Sequence, residues 1–438
     1  MAFSPPLSIE SLFALRTHGI KLGLDTIQRL LVRLNHPQLQ FVTLHIGGTN
    51  GKGSTAAITA SILQAAGYRV GLYTSPHLID FRERIRVQGR WIPEDRVFAL
   101  MERIQSIVPT DVTPTFFEFT TAMAFQYFAE EQVEVAVVEV GMGGRFDATN
   151  VVDPMGVVIT NVGLDHEAYL GQTLADIAYE KAGIVKPHVP LIAGPMDEDA
   201  WNVVQKKVLE TQSPGFHCGV DFSVLPDKTR GFHYQGLSHV FEGLSCALDG
   251  AHQWNNAGCA LALLEIGMTQ GLQISEEAIR TGLSSVAWEG RLETIFSDPR
   301  ILLDGAHNPA AAQALARFLR DTCCGQWPRK IILGVSMMKD KDHSGFLKTL
   351  VPLAEHVLLI GMDSARGATA QMLFDEIHAD SLRDVAGSVS CVSGPGEALV
   401  LARDLAGPQD RICFTGSLFL VGSIKNLVGT PESVLAQE

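Results

Sequence analysis

Short apolar, β-rich runs recur along the first half of the chain, at residues 41–46, 70–74, 135–140, 157–162 and 191–193. Between most of them the apolar positions follow a helical pattern, as at 54–66 and 121–130. Strands that are apolar on both faces and alternate with helices predict a parallel sheet covered on both sides. From about residue 215 to 250 the pattern turns short and turn-rich, which predicts antiparallel hairpins at the edge of that domain. Helices at 254–266 and 275–286 follow. A second alternating series starts near residue 293, with strands at 301–303, 330–333, 356–360, 388–392 and 411–414. Its helices fall at 309–323, 344–351, 370–378, 396–406 and 418–428. Two doubly wound units are therefore expected, over residues 1–295 and 296–438.

Composition narrows this picture. The chain has 438 residues, 46% of them apolar and 19% charged, enough to build two cores and too apolar for disorder. Its net charge of −14 argues against a general nucleic-acid or anionic-membrane binder, while leaving room for a local basic pocket. Seven cysteines without a C-x-x-C pair predict neither a disulfide scaffold nor a thiolate zinc site. There is no signal-like start and no apolar run of about 18 residues, so a cytoplasmic, membrane-free protein is expected.

The densest chemistry lies where the run 41–46 enters GGTNGKGST (47–55) and then a helical pattern. Strand, glycine-rich turn, lysine, hydroxyl and helix make a nucleotide phosphate cradle. Glycines admit the phosphates to backbone N–H groups, the helix start adds positive potential and Lys52 adds a charge. The usual G-x-x-x-x-G-K-[ST] spacing fails, because Ile46 stands where glycine is required and Gly53 follows the lysine. The expected fold class is thus α/β, a P-loop-type, mostly parallel sheet ATPase domain plus a smaller Rossmann-like C-terminal domain. Glu139 ends an otherwise apolar strand and precedes GMGG (141–144), a good position for a Mg²⁺ ligand beside a phosphate loop. His166 follows the adjacent strand and converges on the same edge, although a lone histidine is more often structural and Glu139 could instead cap a neighbouring helix.

The variant loop GTNGKGS resembles that of the Mur-ligase-like family, in its folylpolyglutamate synthase and dihydrofolate synthase branch. Further segments extend the likeness in the family's order: YTSPHL (73–78), RERIR (82–86), VEVGMGGR (138–145), DATN (147–150), LDH (164–166), EKAG (180–183), GR (290–291), DGAHNP (304–309), KDKD (339–342) and TGS (415–417). The resemblance implies that Thr49, Asn50, Gly51, Lys52, Gly53 and Ser54 cradle ATP. It implies two Mg²⁺ ions, the first held by Ser75 and Glu139, the second by His166. It gives Lys52, Lys181 and His307 catalytic positions, with Lys181 carbamylated as in many relatives; a solvated lysine is its plainer reading. Asn256 would read the adenine, although a helix N-cap fits it too and Asn255 competes for either role. Arg291 and Asp304 would complete the ATP site, Asp304 alternatively serving as a helix cap. Glu289 stands where relatives carry proline, which would loosen that turn.

For the pterin substrate the resemblance implies three segments. They are Ala14, Leu15, Arg16 and Thr17; Thr115, Phe116, Phe117 and Glu118; and Phe146, Asp147 and Ala148. Core packing is the alternative for at least one of the two phenylalanines, whereas Glu118 within an apolar run is harder to explain as core. The implied reaction activates a carboxylate as an acyl phosphate, which the amine of L-glutamate then attacks. ATP, L-glutamate and dihydropteroate or a reduced folate are the expected partners, and the chain is expected to be a monomer. A Mur-type amide ligase acting on a UDP-linked cell-wall precursor and a non-ligase nucleotide switch are the alternatives.

Overall fold

The computed structural model describes residues 12–13, 15, 23–227, 231–297, 300–323, 330–362, 364, 366–379, 382 and 387–429. The chain divides into two compact units, one of residues 1–247 and 253–287, the other of residues 248–252 and 288–438. The junction thus precedes the expected 295/296 division. The reason is strand pairing: β12 (Glu293–Ser297) joins the second unit's sheet.

The first unit is built on an eight-stranded sheet. Its strands are β1 (Val42–Gly47), β2 (Val70–Tyr73), β3 (Ile85–Val87), β4 (Arg90–Trp91), β5 (Val135–Glu139), β6 (Pro154–Ile159), β7 (Leu191–Ala193) and β8 (Gly215–His217). They lie in the order β4-β3-β2-β5-β1-β6-β7-β8. The pairs from β2 to β8 are parallel, and β3 and β4 add an antiparallel edge that the hydrophobic pattern does not announce. Each central strand is buried along nearly its whole length, which explains its unbroken apolar sequence. One face packs against helices Asp25–Arg33, Glu94–Ile107 and Phe116–Glu130 around Phe119, Phe125 and Phe128. The same face carries Leu174–Ala182 and Glu198–Glu210 around Ile177, Val204 and Leu191, since Val138, His45, Val157 and Leu191 stand side by side in register, while Gly156 on the opposite face meets Leu263.

The turn-rich region forms β8 and a separate three-stranded antiparallel sheet of β9 (Ser223–Pro226), β10 (Phe232–Gln235) and β11 (Val240–Leu244). The helix expected at 254–266 begins earlier, as Ala251–Thr269. Asn256 therefore lies a turn inside it and is not its N-cap.

The second unit carries six strands in the order β12-β13-β17-β14-β15-β16. They are β12, β13 (Arg300–Leu303), β14 (Ile331–Val335), β15 (His356–Ile360), β16 (Ser388–Val392) and β17 (Arg411–Thr415). All neighbours are parallel except β12 with β13. Its core gathers Leu302, Leu315, Leu333, Phe346 and Leu359.

Candidate active site

Strand order decides where the first unit's chemistry collects. β1 lies between β5 and β6, with Ile46 opposite Glu139 and Gly47 opposite Ile159. The loops leaving these carboxyl ends converge at a point where successive connections run to opposite sides of the sheet, the general location of ligand sites in such folds.

The glycine loop of residues 48–51 leads into helix Lys52–Ala65. Gly51 takes φ +81°, and a Cβ there would lie 2.3 Å from the Asn256 Oδ1. The helix starts without a side-chain cap, which suits an anion at its amino end. Side chains following β6 clamp the loop by its carbonyls. Thr160 Oγ1 and Asn161 Nδ2 both donate to the Asn50 carbonyl, at 2.7 and 2.9 Å. Asn161 Oδ1 accepts the Asn50 N–H at 2.9 Å, and Thr49 Oγ1 exchanges bonds with the Gly163 backbone. Lys52 Nζ donates to the Thr49 carbonyl at 3.0 Å and so lies across the loop. Gly53 and Ser54 enter the first helical turn, with Ser54 buried. Sequence reasoning passed over Thr160 and Asn161. The signal was present, since two polar residues closing an apolar strand repeat the Glu139 pattern.

Lys181, near the end of helix Leu174–Ala182, is buried and donates from Nζ to the Gly48 carbonyl at 2.9 Å. It is therefore not a solvated lysine. Burial lowers its pKa to about 7, the nearby Lys52 charge adds to this, and Asp165 and Asp147 oppose it. A substantial fraction of neutral amine at neutral pH follows.

Glu139 is buried at the end of β5, and its Oε2 accepts the Ser75 N–H at 2.9 Å. Carboxylate and serine are thus adjacent. His166 begins the short helix Glu167–Leu170 at φ +53°, and its N–H donates to Asp165 Oδ1 at 2.8 Å. The loop before it is the one fastened to Thr49. A carboxylate, a hydroxyl and an imidazole are donors that fit Mg²⁺ or Mn²⁺ and would not fit a soft metal.

The residues assigned to the pterin segments have unequal surroundings. Ala14, Arg16 and Thr17 lie outside the described residues. Leu15 is buried in the core. Thr115 and Glu118 form a capping box: Glu118 Oε2 accepts the Thr115 N–H at 2.8 Å, and Thr115 Oγ1 accepts the Glu118 N–H at 3.2 Å. That reciprocal cap explains a glutamate within an apolar run. It also starts the helix at Phe116, five residues before the expected 121. Phe116 packs with Phe13 and Phe81 and carries the Arg84 guanidinium 5.2 Å above its ring. Phe117 stacks on Tyr73 with centroids 6.0 Å apart.

Asp147 is buried and its oxygens face its own loop, accepting N–H groups of Met142 at 2.9 Å and Thr149 at 3.0 Å. Burial raises its pKa against these bonds. Thr149 Oγ1 donates to Asp147, so it accepts from His45 Nε2 at 2.9 Å. Burial holds His45 neutral, its pKa lowered to about 3. Ala148 is buried beside them, while Phe146 is 41% exposed. Asn256 Nδ2 donates to Gln253 Oε1 at 2.8 Å, so the amide packed on Gly51 is oriented.

In the second unit, Asp304 follows β13 and accepts N–H groups of Leu292 at 3.0 Å and Ala306 at 2.9 Å. The cap of helix Pro309–Cys323 falls instead to Asn308, whose Oδ1 accepts the Ala311 N–H at 2.9 Å. Arg291 lies close over Gly305, where a Cβ would come within 2.2 Å of its Nη1. His307 Nδ1 contacts the Gly305 carbonyl at 2.8 Å. His252, unremarked in the sequence, interacts electrostatically with both Asp304 and Arg291; burial lowers its pKa while Asp304 opposes that shift. Glu289 does not leave its turn loose, since it pairs with Lys425 at 3.1 Å.

Known protein families match both units of the chain. Residues 46–264 match the Mur ligase middle domain, and residues 290–418 match the Mur ligase, glutamate ligase domain. The dihydrofolate synthase/folylpolyglutamate synthase of Bacillus subtilis is 35% identical, over 93% of this chain and 95% of its own length. The enzyme of the same name from Escherichia coli is 32% identical, over 96% and 94%. Escherichia coli FolC, solved in complex with DHPP and ADP, matches with a TM-score of 0.87 at 31% identity over 98% of both chains. The Yersinia pestis bifunctional folylpolyglutamate synthase/dihydrofolate synthase, complexed with AMPPNP and Mn ion, matches with a TM-score of 0.85 at 30% identity, covering 98% of this chain and 99% of that one. With both Mur ligase domains in order and relatives matching along nearly its whole length, the chain belongs to the dihydrofolate synthase/folylpolyglutamate synthase family of Mur-type ligases.

Proposed function

We propose that this chain joins L-glutamate to dihydropteroate and to the γ-carboxylate of reduced folates through an acyl phosphate. It is an ATP-dependent ligase of folate synthesis, as its family membership establishes. The observation that carries the residue assignment is the convergence of the clamped loop 48–51, Lys52, Glu139 with Ser75, and Lys181 at one end of the parallel sheet.

A substrate carboxylate oxygen attacks the γ-phosphorus of ATP, and ADP leaves. The glutamate amine then attacks the acyl carbon, phosphate leaves, and the amine loses a proton. Thr49 to Ser54 hold the phosphates, with Lys52 adding positive charge. Ser75 and Glu139 would hold one divalent ion and His166 a second. Bound Mg²⁺ would neutralise phosphate charge as it develops. No protein nucleophile is needed, and rate comes from positioning and fixed charge.

Lys181 is carbamylated in this reading. Its neutral amine takes up CO₂ and releases a proton, so that a buried amine becomes an anion within reach of the Lys52 charge. Asn256 orients the adenine. Arg291, Asp304 and His307 serve the nucleotide and the transferred phosphoryl group. Phe116 and Phe117 offer aromatic surface to the pterin, and Phe146 to the benzoyl group that follows it. The chain works as a cytoplasmic monomer; no helix among the described residues is long and apolar enough to cross a membrane.

The deciding experiment is phosphate release from ATP, Mg²⁺ and L-glutamate with dihydropteroate or a reduced monoglutamyl folate as acceptor. Release with both is expected. Release with one restricts the activity to that step, and release with neither overturns the proposal.

A further inference from the structure

Arg145 is left over once the phosphate edge is assigned. The chain is strongly acidic, yet among the described residues no carboxylate pairs with its guanidinium. The backbone beneath it is firmly built. Its N–H donates to the Glu180 carbonyl at 2.9 Å, and its carbonyl accepts from Asn150 Nδ2 at 3.0 Å. A Cβ on Gly183 would meet the Arg145 Cβ at 2.4 Å, and one on Gly144 would meet the Glu180 carbonyl oxygen at 2.8 Å. Arg145 is thereby fastened to the helical turn that carries Lys181, at the end of a loop that starts from Glu139. Its guanidinium lies over the Tyr179 ring, 3.9 Å from the centroid, with the Phe146 ring 5.9 Å away. Both rings are exposed at the surface. Stacking occupies a guanidinium's face and leaves its in-plane N–H groups directed outward, the fork that receives a carboxylate through two bonds.

We infer that Arg145 binds the carboxylate of the acceptor that does not react, the α-carboxylate at the glutamyl end of a reduced folate. This rests on the folate-ligase reading above and deepens it. A folate ends in a residue with two carboxylates, and activating the γ group leaves the α group charged and in need of a partner. Dihydropteroate has one carboxylate, and that one reacts. Arg145 is accordingly a specificity residue for tail extension, and Tyr179 is the positioning residue that holds its plane.

The test compares two acceptors with ATP, Mg²⁺ and L-glutamate: tetrahydropteroyl-monoglutamate and tetrahydropteroyl-γ-aminobutyrate. The second keeps the pterin, the benzoyl group and the reacting carboxylate and lacks only the α-carboxylate. The native chain should prefer the glutamyl acceptor by about 10- to 100-fold in kcat/KM. Arg145→Gln should collapse that preference towards one, through a higher KM for the glutamyl acceptor alone, with ADP affinity retained as the sign of an intact site. Arg145→Lys and Tyr179→Leu should lose part of it. Equal losses on both acceptors, no preference in the native chain, an unchanged preference in Arg145→Gln, or a raised KM for L-glutamate would each overturn the assignment. If the native chain turned over neither acceptor, the folate reading itself would fall and this inference with it.

Discussion

Two glycine-rich loops leave neighbouring strands of one sheet and meet opposite fates. Residues 48–51 follow β1, and residues 141–147 follow β5. In the first, the fixed partners grip carbonyls: Asn50 and Gly48 accept from Thr160, Asn161 and Lys181, and the helix behind starts uncapped. In the second, the partner is a carboxylate gripping amides, with Asp147 accepting from Met142 and Thr149. Glycine content alone therefore does not make a phosphate loop. What matters is what the loop leads into. The first, although it gives its Thr49 and Asn50 N–H groups to Asn161, runs into an uncapped helix start that presents positive potential, whereas the second folds back on the Asp147 carboxylate and displays the side chains of Arg145 and Phe146.

The contrast is broken most severely at Lys52. Lys52→Ala should lower phosphate release at least about 1000-fold with circular dichroism unchanged; retained turnover would remove the first loop from the chemistry. Gly51→Ala comes next. It forces a Cβ against Asn256 at positive φ and should cost nucleotide affinity and about 1–3 kcal/mol of stability, read by ADP titration and denaturant melts. Asp147→Asn should destabilise the fold by about 1–3 kcal/mol in urea melts while leaving ADP affinity nearly intact; a selective loss of ADP affinity would show that the two loops do not divide the work this way.

Lys181 supplies a pH test. Its folded pKa of about 7 lies below the ordinary value of 10.5, so the unfolded chain binds more protons between these limits. The unmodified fold should therefore gain stability as pH rises through that window, relative to Lys181→Gln. In CO₂-depleted buffer, activity restored by added bicarbonate should be restored better above pH 7 than below it. Thr115→Ala should have the smallest effect, about 0.5–2 kcal/mol of stability from the lost cap, measured by thermal melting.

The hydrophobic pattern made the central strands legible to within a few residues because they are buried on both faces. Short edge strands β3 and β4 left no such mark, since β3 has only three residues and Arg90 and Trp91, which make up β4, are exposed. Lys52, Glu139 and Lys181 were legible through motif resemblance, and the structure adds the burial that makes Lys181 unusual. Glu118 and Asp147 show the limit. Each is an acid in an apolar context, and only the path of nearby N–H groups reveals that the chain itself takes up much of their hydrogen-bonding capacity. Arg145 escaped notice because its meaning depends on no carboxylate among the described residues pairing with its guanidinium, which a linear sequence cannot display.

The clamp on the first loop also has a consequence for synthesis. Thr49 is held by a residue 114 positions later, and Asn50 by one 111 positions later. A nascent chain therefore exposes its glycine loop and lysine long before the strand that disciplines them has left the ribosome. Closing so long a connection is slow, so nucleotide capture should switch on only after residue 163 has emerged, and the growing protein is spared binding a triphosphate with half a site.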